Sequence, residues 1–203
     1  MHARTVRRLG LLFAPVLFAA PSVLHAGSFE DAVLAELNRV RAHPQVYARE
    51  LQREQVVQTR YGEATDGMAQ EDPEAVDDAI DYLMRQRPLA PLARDGRVAA
   101  AAREHVARQG PTGAVGHGPA GSLGRRLQSE GFFAGIEAES ISYGQRSPRD
   151  VVRQLIVDSG VPNRGHRKDL LSSGFQVAGV GCGGHADYGS MCVIDLAGAV
   201  MRR

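Results

Sequence analysis

Three side chains in this sequence have the types that metal binding or acid–base chemistry requires. His117 lies in a Gly-His-Gly-Pro stretch, Glu139 in Glu-Ala-Glu-Ser and His166 in Arg-Gly-His-Arg. Two imidazoles and a carboxylate form a fair ligand set for Zn²⁺ or a similar divalent cation. A metal with an open coordination position could activate water, and Glu139 is then the candidate catalytic residue. Alternatively, the three side chains form a hydrogen-bonded cluster that only holds loops together.

Other catalytic patterns are absent from the sequence. It contains neither a Gly-x-Ser-x-Gly elbow nor a His-Glu-x-x-His helix. A further histidine, His105, falls on the apolar stripe of a predicted helix. Histidines in such places are more often core or interface residues than ligands, so we interpret His105 as structural and keep a direct role as the alternative.

The two cysteines, Cys182 and Cys192, lie close together near the C-terminus. In an exported protein, such a pair predicts one disulfide across a hairpin loop. The alternative is a metal site that uses both thiolates and His185. An oxidising compartment favours the disulfide.

The first 26 residues have the features of a secretory signal. Arg4, Arg7 and Arg8 precede an apolar run over residues 9–20, and Ala26 offers a small residue for cleavage. The alternative is an uncleaved membrane anchor, although a span needs about 20 apolar residues. No later stretch of the sequence is apolar enough to cross a membrane. We therefore expect a protein exported to the periplasm or the medium.

The charge balance argues against a nucleic-acid partner. The chain has 24 Lys+Arg and 23 Asp+Glu, and three of the arginines fall in the predicted signal. Removing the signal would leave a slightly acidic chain, whereas nucleic-acid binding needs a concentrated basic face. About 177 residues would remain, enough for one domain with a core. We expect a monomer.

The elements that must position these residues follow from capping signals and hydrophobic periodicity. Strict alternation over residues 136–143 predicts a strand with Glu139 on one face. Two apolar segments, 175–182 and 191–200, predict an antiparallel hairpin, and a loop is expected to present His166. Helices precede and surround the strands, so the class is α+β. The helices are expected over residues 28–43, 44–58, 72–84 (with Val76, Ile80, Leu83 and Met84 inward), 95–109, 123–130 and 149–157.

Taken in order, these motifs resemble bacterial members of the CAP superfamily, which contains cysteine-rich secretory proteins, antigen 5 proteins and pathogenesis-related proteins. The resemblance covers roughly residues 30–200. It is carried by Leu-Asn-Arg-Val-Arg at 37–41, the helix with Ala102 and His105, the loop with His117, Ala-Glu-Ser-Ile-Ser-Tyr-Gly at 138–144, Gly-His-Arg at 165–167 and Phe-Gln-Val-Ala-Gly-Val-Gly at 175–181.

The resemblance implies a three-layer α-β-α sandwich with a central antiparallel sheet, formed by residues 27–203 as a single CAP (SCP-like) domain. It also implies a cleft with two histidines and two acidic residues. By motif, His117 and His166 match the histidines, and Glu139 matches the acid of the family's Gly-Glu-Asn stretch, which is Ala-Glu-Ser here. The family's second acid has no match, and Asp158 is the nearest substitute.

The resemblance further implies binding more than catalysis. Some members bind metals, and others are associated with sterols, lipids or protein partners. Protease activity has been proposed, but no general enzyme activity belongs to the family. We therefore predict an exported protein whose cleft binds a divalent cation, a small apolar ligand or a partner, with a metal-dependent hydrolase as the alternative.

Overall fold

The computed structural model describes residues 28–61 and 71–199. The predicted signal over residues 1–26 and the segment 62–70 lie outside the described residues. The elements, in chain order, are the helices and strands α1 (Phe29–Ala42), α2 (Pro44–Tyr61), α3 (Pro73–Arg85), β1 (Ala93–Arg94), α4 (Gly96–Gln109), α5 (Ser122–Ser129), β2 (Ile136–Tyr143), α6 (Pro148–Val157), α7 (Gly165–Leu170), β3 (Val177–Gly183) and β4 (Met191–Gly198).

Helix starts follow from side-chain caps. Ser28 accepts a hydrogen bond from the amide of Asp31, whose carboxylate accepts one from the Ser28 amide, which makes a complete capping box. Asp72, Asp95 and Ser147 cap α3, α4 and α6 in the simpler way, through one side-chain oxygen. These local interactions explain why the helix positions agree with the sequence expectation.

The sheet contains four strands in the order β1-β3-β4-β2. The three long strands are antiparallel, as predicted, and β2 begins and ends at the expected residues. The sheet as a whole is mixed, because β1 adds a two-residue edge that runs parallel to β3. Two residues are too few to show a periodic pattern, so this edge could not be predicted from the sequence.

Helices cover both faces of the sheet, which confirms the α+β class and the α-β-α arrangement. On one face, Ala178, Val180, Ile194 and Leu196 belong to the large core that α1, α2, α3 and α6 complete. On the other face, α4 lies directly against β3. A Cβ on Gly179 would come within 2.0 Å of the Ala99 backbone nitrogen, so only glycine permits this close approach.

Two details differ from the sequence expectation. Met84 is 45% exposed, because the buried face of α3 is completed by Ala75 and Ala79 and leaves Met84 at its edge. His166 lies in the short helix α7 and not in a loop. The six residues of α7 are mostly polar, so the sequence shows no helical periodicity there. Hydrogen bonds to Asp158 hold this helix in place.

The predicted disulfide is confirmed. Cys182 and Cys192 stand directly opposite each other on β3 and β4 and are bonded. The alternative thiolate site is wrong, because both sulfurs are in this bond and His185 is occupied by backbone groups. Its Nδ1 accepts hydrogen bonds from the amides of Asp187 and Tyr188, so Nε2 donates to the carbonyl of Ala114 at 2.9 Å. Within the two described segments, no helix is long and apolar enough to cross a membrane.

Candidate functional site

The loop that carries His117 is held by α4 and β2. The carbonyl of Gly116 accepts a hydrogen bond from Gln109 at 2.7 Å and lies 3.1 Å from Nε2 of His105. The Gly116 amide donates to the hydroxyl of Tyr143 at 2.9 Å. Ser122 then donates to the carbonyl of His117 itself. His105 is buried, and burial lowers its pKa, so it serves as a neutral anchor for the loop.

His117 is paired with Glu139, which the sequence also named as a candidate site residue. Its Nδ1 lies 3.0 Å from Glu139 Oε1, while the other carboxylate oxygen accepts a hydrogen bond from Arg126. The hydrogen bond to Glu139 raises the pKa of His117 above its usual value, against the opposing effect of burial. The Glu139 side chain is only 3% exposed, whereas that of His117 is 56% exposed. The carboxylate therefore lies beneath an imidazole that solvent can reach.

A second acid, Asp195, lies next to Glu139 and was missed from the sequence. The two residues are direct partners in the β2–β4 register. Asp195 is fully buried, and neither of its carboxyl oxygens accepts a hydrogen bond from a donor among the described residues, whereas a protonated Asp195 can donate one to Glu139. The nearest cation is Arg126, at 3.9 Å. The signal that could have revealed it is a lone acid inside the apolar segment 191–200.

The pKa values of the two carboxyl groups are shifted in opposite directions. Burial, together with the charge of Glu139, raises the pKa of Asp195 well above its usual value. Burial also acts to raise the pKa of Glu139, but the hydrogen bond from His117 and the charge of Arg126 outweigh it and lower that pKa. Glu139 therefore loses its proton at a lower pH than Asp195 does.

His166 is paired with Asp158, the residue substituted for the family's second acid. Its Nδ1 lies 2.7 Å from Asp158 Oδ1, and the other oxygen accepts a hydrogen bond from the His166 amide at 3.0 Å. Asp158 has a left-handed backbone, with φ of 57°, and ends α6 as its C-cap. A residue in this strained conformation persists because surrounding contacts determine it. The backbone of Asp158 thus ends α6, while its buried carboxylate binds the first turn of α7 and orients His166.

Helix α3 contacts the residues on either side of His166. Arg167, which is buried, donates to the carbonyls of Ile156 and Val157 and forms an ion pair at 2.9 Å with Asp78 of α3. Arg164 also contacts Asp78, at 3.3 Å. Helix α3 therefore contributes, through Asp78, an anchor for the His166 segment.

The fold brings the two histidines together. Their ring centroids are 6.4 Å apart, and each Nδ1 is engaged by a buried carboxylate, which leaves Nε2 of each ring for a ligand. Asp169, half-buried on α7, adds an acid that was missed from the sequence, and burial raises its pKa. Within residues 28–61 and 71–199, no three His, Cys, Asp or Glu side chains are grouped as a metal site. Glu139 and Asp158 contact the Nδ1 atoms and are more deeply buried than the two imidazoles.

A comparison with models of protein families identifies the family of this chain. A model of the CAP family, described as the cysteine-rich secretory protein family, matches residues 34–196. The chain belongs to this family. The resemblance drawn from the sequence motifs is confirmed, and the matched range includes His117, Glu139, Asp158 and His166. No curated protein matches the chain.

Three solved structures are similar to this chain. They are an extracellular protein with an SCP domain from Bacillus anthracis (23% identity, TM-score 0.44, 64% of this chain and 45% of that one), a cysteine-rich secretory protein from Staphylococcus aureus (16%, 0.43, 64% and 40%) and an outer surface protein from Borrelia burgdorferi (17%, 0.46, 65% and 98%). The match spans less than half the length of the first two proteins.

Proposed function

We propose that this CAP-family protein binds a divalent cation, with Zn²⁺ as the first candidate, through Nε2 of His117 and His166. The observation that supports the proposal is the pairing of each Nδ1 with a buried carboxylate. Metal-binding histidines characteristically donate their second ring N–H to such a group, which sets the tautomer and the ring orientation. Glu139 and Asp158 are then positioning residues, and water or a bound molecule completes the coordination.

The geometry favours binding over hydrolysis. A general base must be free to take a proton from water or substrate. Both oxygens of Glu139 are engaged, one by His117 and one by Arg126, and the side chain is buried. Glu139 therefore does not have the freedom that the hydrolase alternative requires. A bound metal would supply Lewis acidity and a point of attachment for an anionic or neutral ligand.

Export is part of the same proposal. The arginines and apolar run of residues 1–20 fit a secretory signal. The Cys182–Cys192 disulfide fits an oxidising compartment such as the periplasm or the medium. A lipid, a small molecule or a protein is the proposed partner of the cleft, and a monomer is the proposed state.

The test is thermal unfolding with and without Zn²⁺ for the parent protein and for His117→Ala and His166→Ala. A ligand at 100 times its dissociation constant adds about 2.7 kcal/mol. We expect this stabilisation in the parent and its loss in both variants. His43→Ala is the matched control, because His43 is exposed at the end of α1 and should keep the full effect. Equal stabilisation of all four proteins would rule out the two-histidine site.

A second test measures how zinc affinity depends on pH. Zn²⁺ requires neutral imidazoles, and the hydrogen bond to Glu139 raises the pKa of His117. Zinc affinity should therefore fall as pH decreases through this raised pKa, and the fall should begin at a higher pH than an isolated histidine pair would show. Titration calorimetry at a series of pH values measures the effect.

A further inference from the structure

A groove separate from the histidine cleft lies between α4, the loop that carries His117, and α5. It has a volume of about 470 Å³, within the range of small-molecule sites. Neither histidine of the cleft lines it, and neither Glu139 nor Asp158 does so. The charged side chains in its wall are Glu104 and Arg108 of α4, and Arg125 and Arg126 of α5. We call this the α4–α5 groove.

The hydroxyl groups of the groove have already used their donors. The hydroxyls of Ser122, Ser129 and Thr112 donate to backbone carbonyls at 2.6–2.8 Å. The side-chain amide of Gln109 uses one of its two N–H groups on the Gly116 carbonyl, at 2.7 Å. Most of the side-chain donors that remain for a ligand are therefore guanidinium N–H groups, which select ligands rich in acceptors.

The guanidinium groups are not equivalent. Arg126 is committed to Glu139, and Arg108 is paired with Glu104 at 2.5 Å. Arg125 donates to the carbonyl of Ala120 at 3.1 Å and has no carboxylate partner in the part of the chain that the structure describes. Two of the three arginines in the groove wall are thus neutralised by carboxylates, and Arg125 is the cation left to bind an anion.

The start of α5 adds to this positive potential. Ser122, which lines the groove, is the first residue of α5, and the N-cap residue Gly121 supplies no side-chain hydrogen bond. The N-terminus of a helix carries partial positive charge and favours anions nearby. The partial positive charge at the start of α5 therefore adds to the positive charge of Arg125, and both favour an anion.

We propose that the α4–α5 groove binds a small molecule through a carboxylate or phosphate group held by Arg125, with Arg108 beside it. Guanidinium groups suit both anions because their planar N–H pairs match two oxygens at once. The groove and the cleft share the loop 113–121 as a wall, but the proposal does not depend on metal binding.

The test is a titration of the ¹⁵N-labelled protein with inorganic phosphate and, separately, with succinate, at constant ionic strength. We expect saturable shifts of backbone amides in residues 118–129 for at least one of the two probes, and the probe that binds identifies the anionic group. Arg125→Gln should weaken binding by about ten-fold or more, the effect of one charged hydrogen bond. Arg85→Gln is the matched control, since Arg85 is exposed on α3, away from the groove, and forms a loose ion pair with Asp81.

Three outcomes would overturn the proposal. The first is shifts that never saturate with either probe, which would indicate ionic strength or weak surface binding. The second is equal affinity in Arg125→Gln and Arg85→Gln. The third is loss of binding in the double variant His117→Ala/His166→Ala, which would assign the anion to the cleft. Retained binding in that double variant supports a separate site, whatever the result with Zn²⁺.

Discussion

At the residue scale, the protein buries two neighbouring carboxyl groups, and Arg126 is the one arginine that contacts them among the described residues. Glu139 and Asp195 face each other across β2 and β4, and Arg126 is closer to Glu139. Desolvation penalises the charged form of a buried acid, and this effect raises the pKa of Asp195. The contacts of Glu139 with His117 and Arg126 lower its pKa, so the two acids lose their protons at different pH values.

The pair predicts a particular dependence of stability on pH. Because the pKa of Asp195 is raised, the folded state keeps a proton that the unfolded state releases above the ordinary value of 3.8. The free energy of unfolding therefore loses a contribution as pH rises from that value towards the raised pKa. Asp195→Asn removes this loss, so the stability of the variant relative to the parent should increase with pH.

Urea unfolding of the parent and of Asp195→Asn at several pH values checks this prediction. Asp81→Asn is the control, since the Asp81 side chain is 74% exposed and pairs loosely with Arg85. Its difference from the parent should change little over the same range. A difference between Asp195→Asn and the parent that does not vary with pH would show that Asp195 titrates normally in the folded protein.

At the element scale, the packing of α4 on the sheet depends on glycine in β3. A Cβ on Gly181 would lie 2.5 Å from the Arg103 nitrogen and 2.7 Å from the Ala102 carbonyl carbon. Backbone atoms cannot move aside as a flexible side chain can. Gly181→Ala should therefore destabilise the protein by about 1–3 kcal/mol, the usual cost of overpacking.

Chemical denaturation measures this loss, and Gly184→Ala is the matched control. Gly184 follows the same strand, and a Cβ there would meet nothing within 4 Å. The control should be neutral within about 0.5 kcal/mol. Equal effects of the two substitutions would mean that α4 does not depend on this close approach.

A second prediction at this scale concerns α3 and the His166 segment. Asp78→Ala removes an acceptor from buried Arg167 and from Arg164. We expect a loss of about 1–2 kcal/mol in stability. We also expect changed ring chemical shifts of His166 and reduced stabilisation by Zn²⁺.

Asp81→Asn on the same helix should leave both the shifts and the zinc effect unchanged. The His166 ring shifts separate positioning from simple destabilisation, because a merely structural loss lowers stability without altering the ring environment. Unchanged His166 shifts in Asp78→Ala would contradict a positioning role for α3.

At the scale of the whole molecule, one disulfide joins the last two strands across a loop of about ten residues. In the chain-entropy model, closing such a loop stabilises the protein by about 2–3 kcal/mol. Reduction should lower the melting temperature by roughly 5–10 °C for a chain of this size. Thermal unfolding with and without a thiol reductant measures the effect.

The control is Cys182→Ser/Cys192→Ser, which should already melt at the lower temperature and should not respond to the reductant. An equal response of the parent and the double variant would place the effect elsewhere. A protein that depends on this bond is suited to an oxidising compartment, in agreement with the proposed export.

The sequence by itself determined the elements and the pairing of the cysteines. Capping at Ser28, the proline after His43 and the alternation of residues 136–143 act between near neighbours, so they can be recognised without the fold. The motif order also identified the family and the two histidines. Short elements such as β1 and α7 escaped prediction, because tertiary contacts and not periodicity hold them.

Only the tertiary structure decided how the site is assembled. Asp195 became a partner of Glu139 through the register of β2 and β4, and Asp158 became the partner of His166 through the left-handed end of α6. The sequence showed candidate ligands but could not show that Glu139 and Asp158 contact the Nδ1 atoms of the two imidazoles. Such contacts depend on how distant elements pack, and packing is a property of the whole fold.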